Sequence, residues 1–247
     1  VSPPPHTVII HICSTGEPSV TRHATASVMR VSSQMFQGMD DTRRLWKSIG
    51  FDADRGIVPC AGRQQSTFVW QLRSLLIEAF GYLDLPLLHR WFFPGTARTH
   101  FTIRVDADWY NEEEWTATLR LLQPLKQNMS WFVTCRDLDG HPERIAALSA
   151  TGCEIGSHAY HHYTFRDRAN NAQNMRRADD CLRALGVTPR SFVSPSAKWN
   201  RALQQVIDDM GYEYSSEFSF AYDSYPLRAI DAQNVARAWQ VPVHPVS

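Results

Sequence analysis

From about residue 98 onward the sequence predicts an α/β domain built on parallel strands. Three observations carry that prediction. Short apolar runs alternate with helix-length stripes of apolar residues at i, i+3, i+4 spacing. Capping residues and glycines punctuate the stripes where helices would start and stop. Finally, Asp106/Asp108, His158/His162, the segment from Pro195 to Trp199, and His244 each fall just beyond a strand-like run. In parallel α/β barrels that rim is where active sites assemble.

The first strand is predicted at 101–105. Asn111 then opens a helix, with Glu114 completing a capping box and Glu112 and Glu113 placed where the helix dipole favours negative charge. Trp115, Leu119 and Leu122 form its inner stripe, and Pro124 ends or kinks it. A second strand is predicted at 131–135. Pro142 suits a helix start, Ile145 and Leu148 face inward, and Gly152 stops the turn. The third strand, at 153–156, runs straight into the histidines. A long helix comes next from about Ala169, striped by Met175, Ala178, Leu182 and Leu185 and closed by Gly186. A fourth strand at 191–194 leads into Pro195. Leu203, Val206, Ile207 and Met210 stripe the next helix, closed by Gly211. Further strands are predicted at 212–215 and within 235–243.

Residues 1–97 are set apart as an N-terminal region. The stretch 7–13 reads as a strand, and 25–36 is compatible with strand or helix. From Ser66 a helix is predicted with Val69, Leu72, Leu76, Ala79 and Phe80 on its apolar face, broken at Leu85-Pro86. The aromatic connector 87–94, with Trp91, Phe92 and Phe93, either packs this region on the next domain or offers a carbohydrate platform.

Composition excludes several function classes. Lys plus Arg equals Asp plus Glu at 25 each, so no basic surface for nucleic acid or acidic lipid is indicated. No apolar run reaches the roughly 20 residues that cross a bilayer, so no transmembrane segment is expected. The five cysteines (Cys13, Cys60, Cys135, Cys153, Cys181) are scattered, odd in number and free of Cys-x-x-Cys spacing, which predicts reduced thiols and a cytoplasmic setting. The chain starts without Met and ends just after a Val-Pro-Val-His-Pro run. The expectation is a piece of a longer polypeptide, with the domain from 98 to 247 truncated at its C-terminal side.

The chemistry-bearing stretch is Glu154-Ile-Gly-Ser-His-Ala-Tyr-His-His-Tyr163. Neutral imidazole is the commonest protein ligand for zinc, and His158 and His162, four apart, can converge on one ion. A catalytic zinc site adds a further ligand, often a carboxylate, and keeps one position open. Asp106 and Asp108 stand two apart at the end of a strand, so both carboxylates face the same side. Read singly, each of these features has a bland alternative: a surface or capping histidine cluster, or a structural aspartate turn. Together they favour a metal site. Trp109 and Trp199 directly succeed site candidates, and stacking on a sugar and packing of the rim both remain open.

The runs Arg104-Val-Asp-Ala-Asp108 and Glu154-Ile-Gly-Ser-His-Ala-Tyr-His-His162, the Pro195-centred segment and Val-Pro-Val-His244 resemble the polysaccharide deacetylase (NodB-homology) superfamily. The resemblance is to the branch whose first motif reads Arg-x-Asp-x-Asp, and it covers about residues 98–247. It implies a distorted (β/α)7 barrel with an additional N-terminal region, one divalent metal, and removal of N- or O-acyl groups from sugars. By position it implies Asp106 as general base, Asp108, His158 and His162 as metal ligands, His161 as a neighbouring spacer, and His244 as general acid. Pro195 and Ser196 match the segment that forms one wall of the groove. That segment departs from the family pattern: no Arg precedes Pro195, and Ser196 stands where the family has an aromatic residue. Lys198 could supply the missing charge.

The sequence supports three functional expectations. The first is a metal-dependent deacetylase of an N-acylated amino sugar or glycan, with zinc as the metal and cobalt, nickel or manganese as substitutes. The second is a C–N hydrolase of a formyl or other small amide. The third is a non-catalytic glycan-binding domain on the same fold.

Overall fold

The computed structural model describes 7–13, 19–22, 26–32, 49–52, 56–59, 65–88, 95–97, 100–108, 111–138, 141–218, 225–230 and 234–243. Three sheets are present among these residues. In the N-terminal region, β1 (Thr7–Cys13), β2 (Ser19–Arg22) and β3 (Ala26–Ser32) form one sheet in the order β1-β3-β2. β1 and β3 run parallel, and β2 and β3 antiparallel. β4 (Ile49–Asp52) and β5 (Gly56–Pro59) pair antiparallel as a two-stranded sheet. Helix α1 (Gln65–Tyr82) comes next. The predicted helix is there, but Leu75 and Ala79 are the buried positions, and Leu72 and Leu76 stay about a third exposed. The connector residues 89–94 lie outside the described residues.

From β6 onward the alternation is as expected. β6 (Ile103–Ala107), α2 (Glu112–Leu122), β7 (Met129–Val133), α3 (Pro142–Thr151), β8 (Glu154–Ser157), α4 (Arg168–Ala184), β9 (Ser191–Phe192), α5 (Arg201–Met210), β10 (Tyr214–Ser215) and β11 (Trp239–Gln240) succeed one another. The six strands form one sheet in sequential order, and every neighbouring pair is parallel. Sequential order is the progression of a barrel rather than of a doubly wound sheet. Curvature is forced by one contact. Arg104 of β6 donates through Nη1 to the Ser216 carbonyl at 2.6 Å, although Ser216 lies just after β10, four strands away. In a flat sheet that interval is about 19 Å, beyond the reach of a side chain. The architecture is therefore a curled α/β half-barrel, six strands of which lie among the described residues.

The helix signals hold at residue level. Asn111 accepts from Glu114 N at 2.8 Å while Glu114 Oε2 accepts from Asn111 N at 3.3 Å, a complete capping box. Asp167 and Asn200 cap α4 and α5 in the same way. Gly152 and Gly211 close α3 and α5 with left-handed φ of 75° and 78°. Pro124 does not kink α2. The helix ends at Leu122 and a 3-10 turn, Gln123–Asn128, carries the proline near its start.

The predicted inner stripes build the core. Trp115, Trp131, Val133, Ile145, Leu148, Ala178 and Leu182 pack between the sheet and α2, α3 and α4. Met175, Phe192, Leu203, Val206 and Ile207 pack between the sheet and α4 and α5. The concave face is more polar. Glu154 accepts from Ser130 Oγ and Ser191 Oγ at 2.7 Å and from Tyr214 Oη at 2.6 Å, joining four strands at the N-terminal end of the half-barrel. Gly156 is required there: a Cβ on it would lie 2.5 Å from the Phe132 ring and 2.6 Å from Ser191 Oγ. No helix among the described residues is long and apolar enough to cross a membrane.

Candidate metal centre and active-site rim

Asp106 and Asp108 leave β6 on the same face, as their i, i+2 spacing requires. His158 and His162 come after β8, the second neighbour of β6 in the sheet. The curl closes that gap. Ligand atoms of Asp108, His158 and His162 all lie within 4.8 Å of one another. Asp108 Oδ2 is 3.2 Å from His162 Nε2, and Asp108 Oδ1 is 3.9 Å from His158 Nε2. The two imidazole rings stand 5.1 Å apart at 54°.

The protonation pattern suits a metal. His158 Nδ1 lies 2.7 Å from the Val193 carbonyl, which can only accept, so Nδ1 carries the proton and Nε2 presents its lone pair towards Asp108. Burial of the ring, 1% exposed, holds the His158 pKa below its usual value, against the pull of the Asp106 and Asp108 charges. A neutral imidazole with Nε2 directed at a carboxylate is the ligand form. Two imidazoles and a carboxylate from three positions fit a divalent ion of the zinc type with coordination positions left for water.

Asp106 differs from Asp108 in its partners. Its Oδ2 accepts from Arg104 Nη2 at 2.9 Å, whereas its Oδ1 is buried without a hydrogen-bond partner among the described residues. Its charge acts on His158, so it borders the three ligands without joining them. Arg104 is fixed in turn by the Ser216 carbonyl and by Ser216 Oγ at 3.2 Å. The cation beside Asp106 is thus Arg104, from the same strand.

The wall after β9 is shaped by backbone. Pro195 is buried and its carbonyl accepts from Thr164 Oγ1 at 3.0 Å. Ser196 and Ala197 both adopt left-handed φ, 58° and 48°, an arrangement that costs non-glycine residues energy and clusters at functional sites. Ser194 Oγ donates to the Lys198 carbonyl and closes the turn. Ser196 is exposed and Lys198 half-buried. Trp199 is a correction. It is 1% exposed, donates to Gln204 Oε1 at 3.0 Å and packs with Ala229 and Ala236, so its ring has no face for a sugar. The packing alternative holds. Trp109 and His244 lie outside the described residues.

Glu217, just after β10, is fully buried. Ser215 Oγ donates to its Oε2 at 3.1 Å, and burial pushes its pKa up to about 7. Tyr163 carries no sequence signal of a site residue, yet it stands exposed directly after His162. No periodicity marks it, because its exposure depends on the loop that carries it.

Comparison with known proteins gives a family. Residues 96–215 match the family model of polysaccharide deacetylases. A structure described as a polysaccharide deacetylase from Mycobacterium smegmatis is 22% identical, with 53% of this chain and 45% of that one covered and a TM-score of 0.46. A family 4 carbohydrate esterase from Streptomyces lividans in complex with acetate is 19% identical over 48% of this chain and 62% of its own, with a TM-score of 0.43. A family 4 pseudoenzyme from Bacillus anthracis is 14% identical over 46% and 41%, also with a TM-score of 0.43. The chain thus spans under half of the Mycobacterium structure. No curated protein matches it.

Proposed function

With residues 96–215 belonging to the polysaccharide deacetylase (NodB-homology) superfamily, we propose that this chain is a metal-dependent hydrolase removing an N-acetyl or related acyl group from an amino sugar or glycan. The observation that carries it is the pairing of a candidate ligand triad, Asp108, His158 and His162, with a bordering carboxylate whose Oδ1 is buried and unpartnered among the described residues. A purely structural cluster would have no use for that oxygen, since leaving it unsatisfied costs about 1–3 kcal/mol.

Asp108, His158 and His162 would hold the metal, zinc by preference. Such an ion supplies Lewis acidity to the acyl carbonyl and lowers the pKa of water towards ~7. Asp106 would accept the proton of the attacking water on Oδ1, while Arg104 on Oδ2 keeps the carboxylate oriented. The Ala197 N–H of the turn after β9 is committed to the Ser194 carbonyl at 2.7 Å, so any help with the developing oxyanion would come from the remaining backbone around Ser196, where one preorganised donor is worth about 3–4 kcal/mol. Pro195 braces that turn, and Lys198 borders it. The C–N bond breaks as the amine takes a proton, the role assigned to His244. Trp109 remains a candidate to stack on the sugar. The products are the free carboxylic acid and the amino sugar.

Residues 98–247 would form the catalytic domain and 1–97 an accessory region. The three described cysteines, Cys135, Cys153 and Cys181, are free thiols, which supports a reducing, cytoplasmic setting. The test is acetate release from N-acetylglucosamine oligomers by zinc-loaded protein. Turnover that chelation stops and zinc restores supports the reading. A fully metallated protein that binds glycan without turnover would replace it with the glycan-binding alternative, and release of formate from small formamides alone would replace the substrate class.

A further inference from the structure

The loop from His161 to Phe165 is held more rigidly than its lack of regular structure suggests. Asn174 of α4, 5% exposed, accepts from His161 N at 2.7 Å and donates to the carbonyls of His161 and Tyr163 at 3.0 and 3.1 Å. Asn171, 2% exposed, accepts from Phe165 N at 2.9 Å and donates to the Phe165 carbonyl at 3.0 Å. Asn200, the α5 cap, adds a second bond to that carbonyl at 2.9 Å. Thr164 is tied across to Pro195. The clamp at Asn174 accounts for a fixed His162 but not for the exposure of the next residue. Tyr163 is 58% exposed, and its ring partner among the described residues is Phe165, met edge-on at 4.8 Å.

An exposed aromatic ring on a fixed loop adds little to folding, because its apolar area stays in water. It is instead a preformed surface. Adjacent Cα atoms are about 3.8 Å apart, so the ring shares a rim with the metal ligand His162. One ring is far too small for a protein interface, which needs several hundred Å2 per partner. It matches the breadth of a pyranose. The face of an aromatic ring carries negative charge density, and the C–H-lined face of a pyranose presents weakly positive hydrogens to it.

We propose that Tyr163, braced by Phe165, is the stacking platform for a pyranose ring of a glycan chain lying across the metal centre, which makes the substrate an oligomer. This rests on the glycan reading of the site given above. Trp199, which the sequence had offered for this task, is buried, and Tyr163 takes its place at the rim.

The probe is the β-1,4-linked tetramer of N-acetylglucosamine, used on the zinc-loaded full chain. Initial rates give KM and kcat, and calorimetry on the Asp106→Asn background gives Kd without turnover. Tyr163→Ala raises both KM and Kd by about fivefold while kcat changes less than twofold and zinc stays at one per chain. Tyr163→Phe stays within twofold of its parent, since stacking needs the ring and not the hydroxyl. Tetramer affinity unchanged in Tyr163→Ala overturns the platform, as does an equal loss in Tyr163→Phe or a parent protein that does not bind the tetramer. If the zinc-loaded protein binds the tetramer but releases no acetate, the deacetylase reading fails, and the Kd comparison still decides the platform.

Discussion

The rims after β8 and β9 are neighbours built on opposite principles. After β8 the chain places side chains: two imidazoles for an ion, and a loop pinned by amides reaching in from α4. After β9 the chain places backbone: two consecutive left-handed residues and a serine closing onto the Lys198 carbonyl. The first rim owes its geometry to hydrogen bonds, the second to a strained turn held down by its surroundings. Among the bonds that join them, His158 Nδ1 to the Val193 carbonyl lets the backbone rim set the tautomer of the side-chain rim, and Thr164 Oγ1 to the Pro195 carbonyl ties the two loops together.

The strongest way to break the comparison is to remove, in two ways, the chemistry that the first rim shares with the end of β6. Asp106→Asn should lower kcat by about 10²–10⁴-fold with the metal retained, because it removes only the proton acceptor. His158→Ala should lose activity and metal together. Elemental analysis of both variants checks this, and metal loss in Asp106→Asn would mean that Asp106 is itself a ligand.

That first rim is largely legible in the sequence. The spacings of Asp106/Asp108 and His158/His162 survive into space because a strand end and one short loop set them locally. The second rim is not. The predicted strand at 191–194 is regular only over its first two residues: the Val193 N–H still donates to the Ser157 carbonyl at 3.0 Å, but the Val193 carbonyl turns to His158 and the Ser194 hydroxyl to the Lys198 carbonyl. Trp199 is buried by Ala229 and Ala236, some thirty residues later, which no local pattern announces. Tyr163 is hidden in the sequence for the converse reason: Asn171 and Asn174, which fix its loop, read as ordinary polar positions on a helix. The buried face of α1 differs from the predicted one, with Leu75 and Ala79 buried while Leu72 and Leu76 are exposed, since apolar residues stand on several sides of that helix.

Glu217 sharpens the contrast, because it is buried where β10 supports both Arg104 and the second rim. Its pKa is raised from 4.5 to about 7 by burial, so the native state holds a proton that the unfolded chain releases. Stability from this group is present in full below about pH 4.5 and is lost as pH rises through about 7. The loss is of the order of 3 kcal/mol. Denaturant titrations from about pH 4.5 to 8 should show this decline in the parent and a flatter curve in Glu217→Gln. Parallel curves would mean that Glu217 ionises in the fold as freely as in the unfolded chain.

Asn174→Ala tests the hydrogen-bonded rim itself. Three bonds are lost and two carbonyls of the His161–Tyr163 loop lose their donor, so stability should fall by about 2 kcal/mol. Zinc affinity should fall about tenfold or more, as when groups that orient a ligand are removed. Calorimetric zinc titration beside thermal unfolding separates the effects, and destabilisation without weaker zinc binding would show that His162 is positioned without the clamp.

The smallest effect has the opposite sign and belongs to the backbone rim. Ser196 sits at φ 58°, ψ 18°, a region that glycine enters freely and that costs serine about 1 kcal/mol. Its side chain is exposed, so Ser196→Gly removes the strain at little loss of packing. The unfolded chain gains freedom through the same change, which offsets part of the benefit. Stability should therefore stay level or rise by at most about 1 kcal/mol, while kcat falls if the backbone around Ser196 helps bind the oxyanion as proposed, because the turn loosens. A stability gain with unchanged kcat would make the turn scaffolding. A fall in kcat at unchanged stability and zinc content would show that the strain at Ser196 serves the reaction, which the hydrogen-bonded rim achieves without strain.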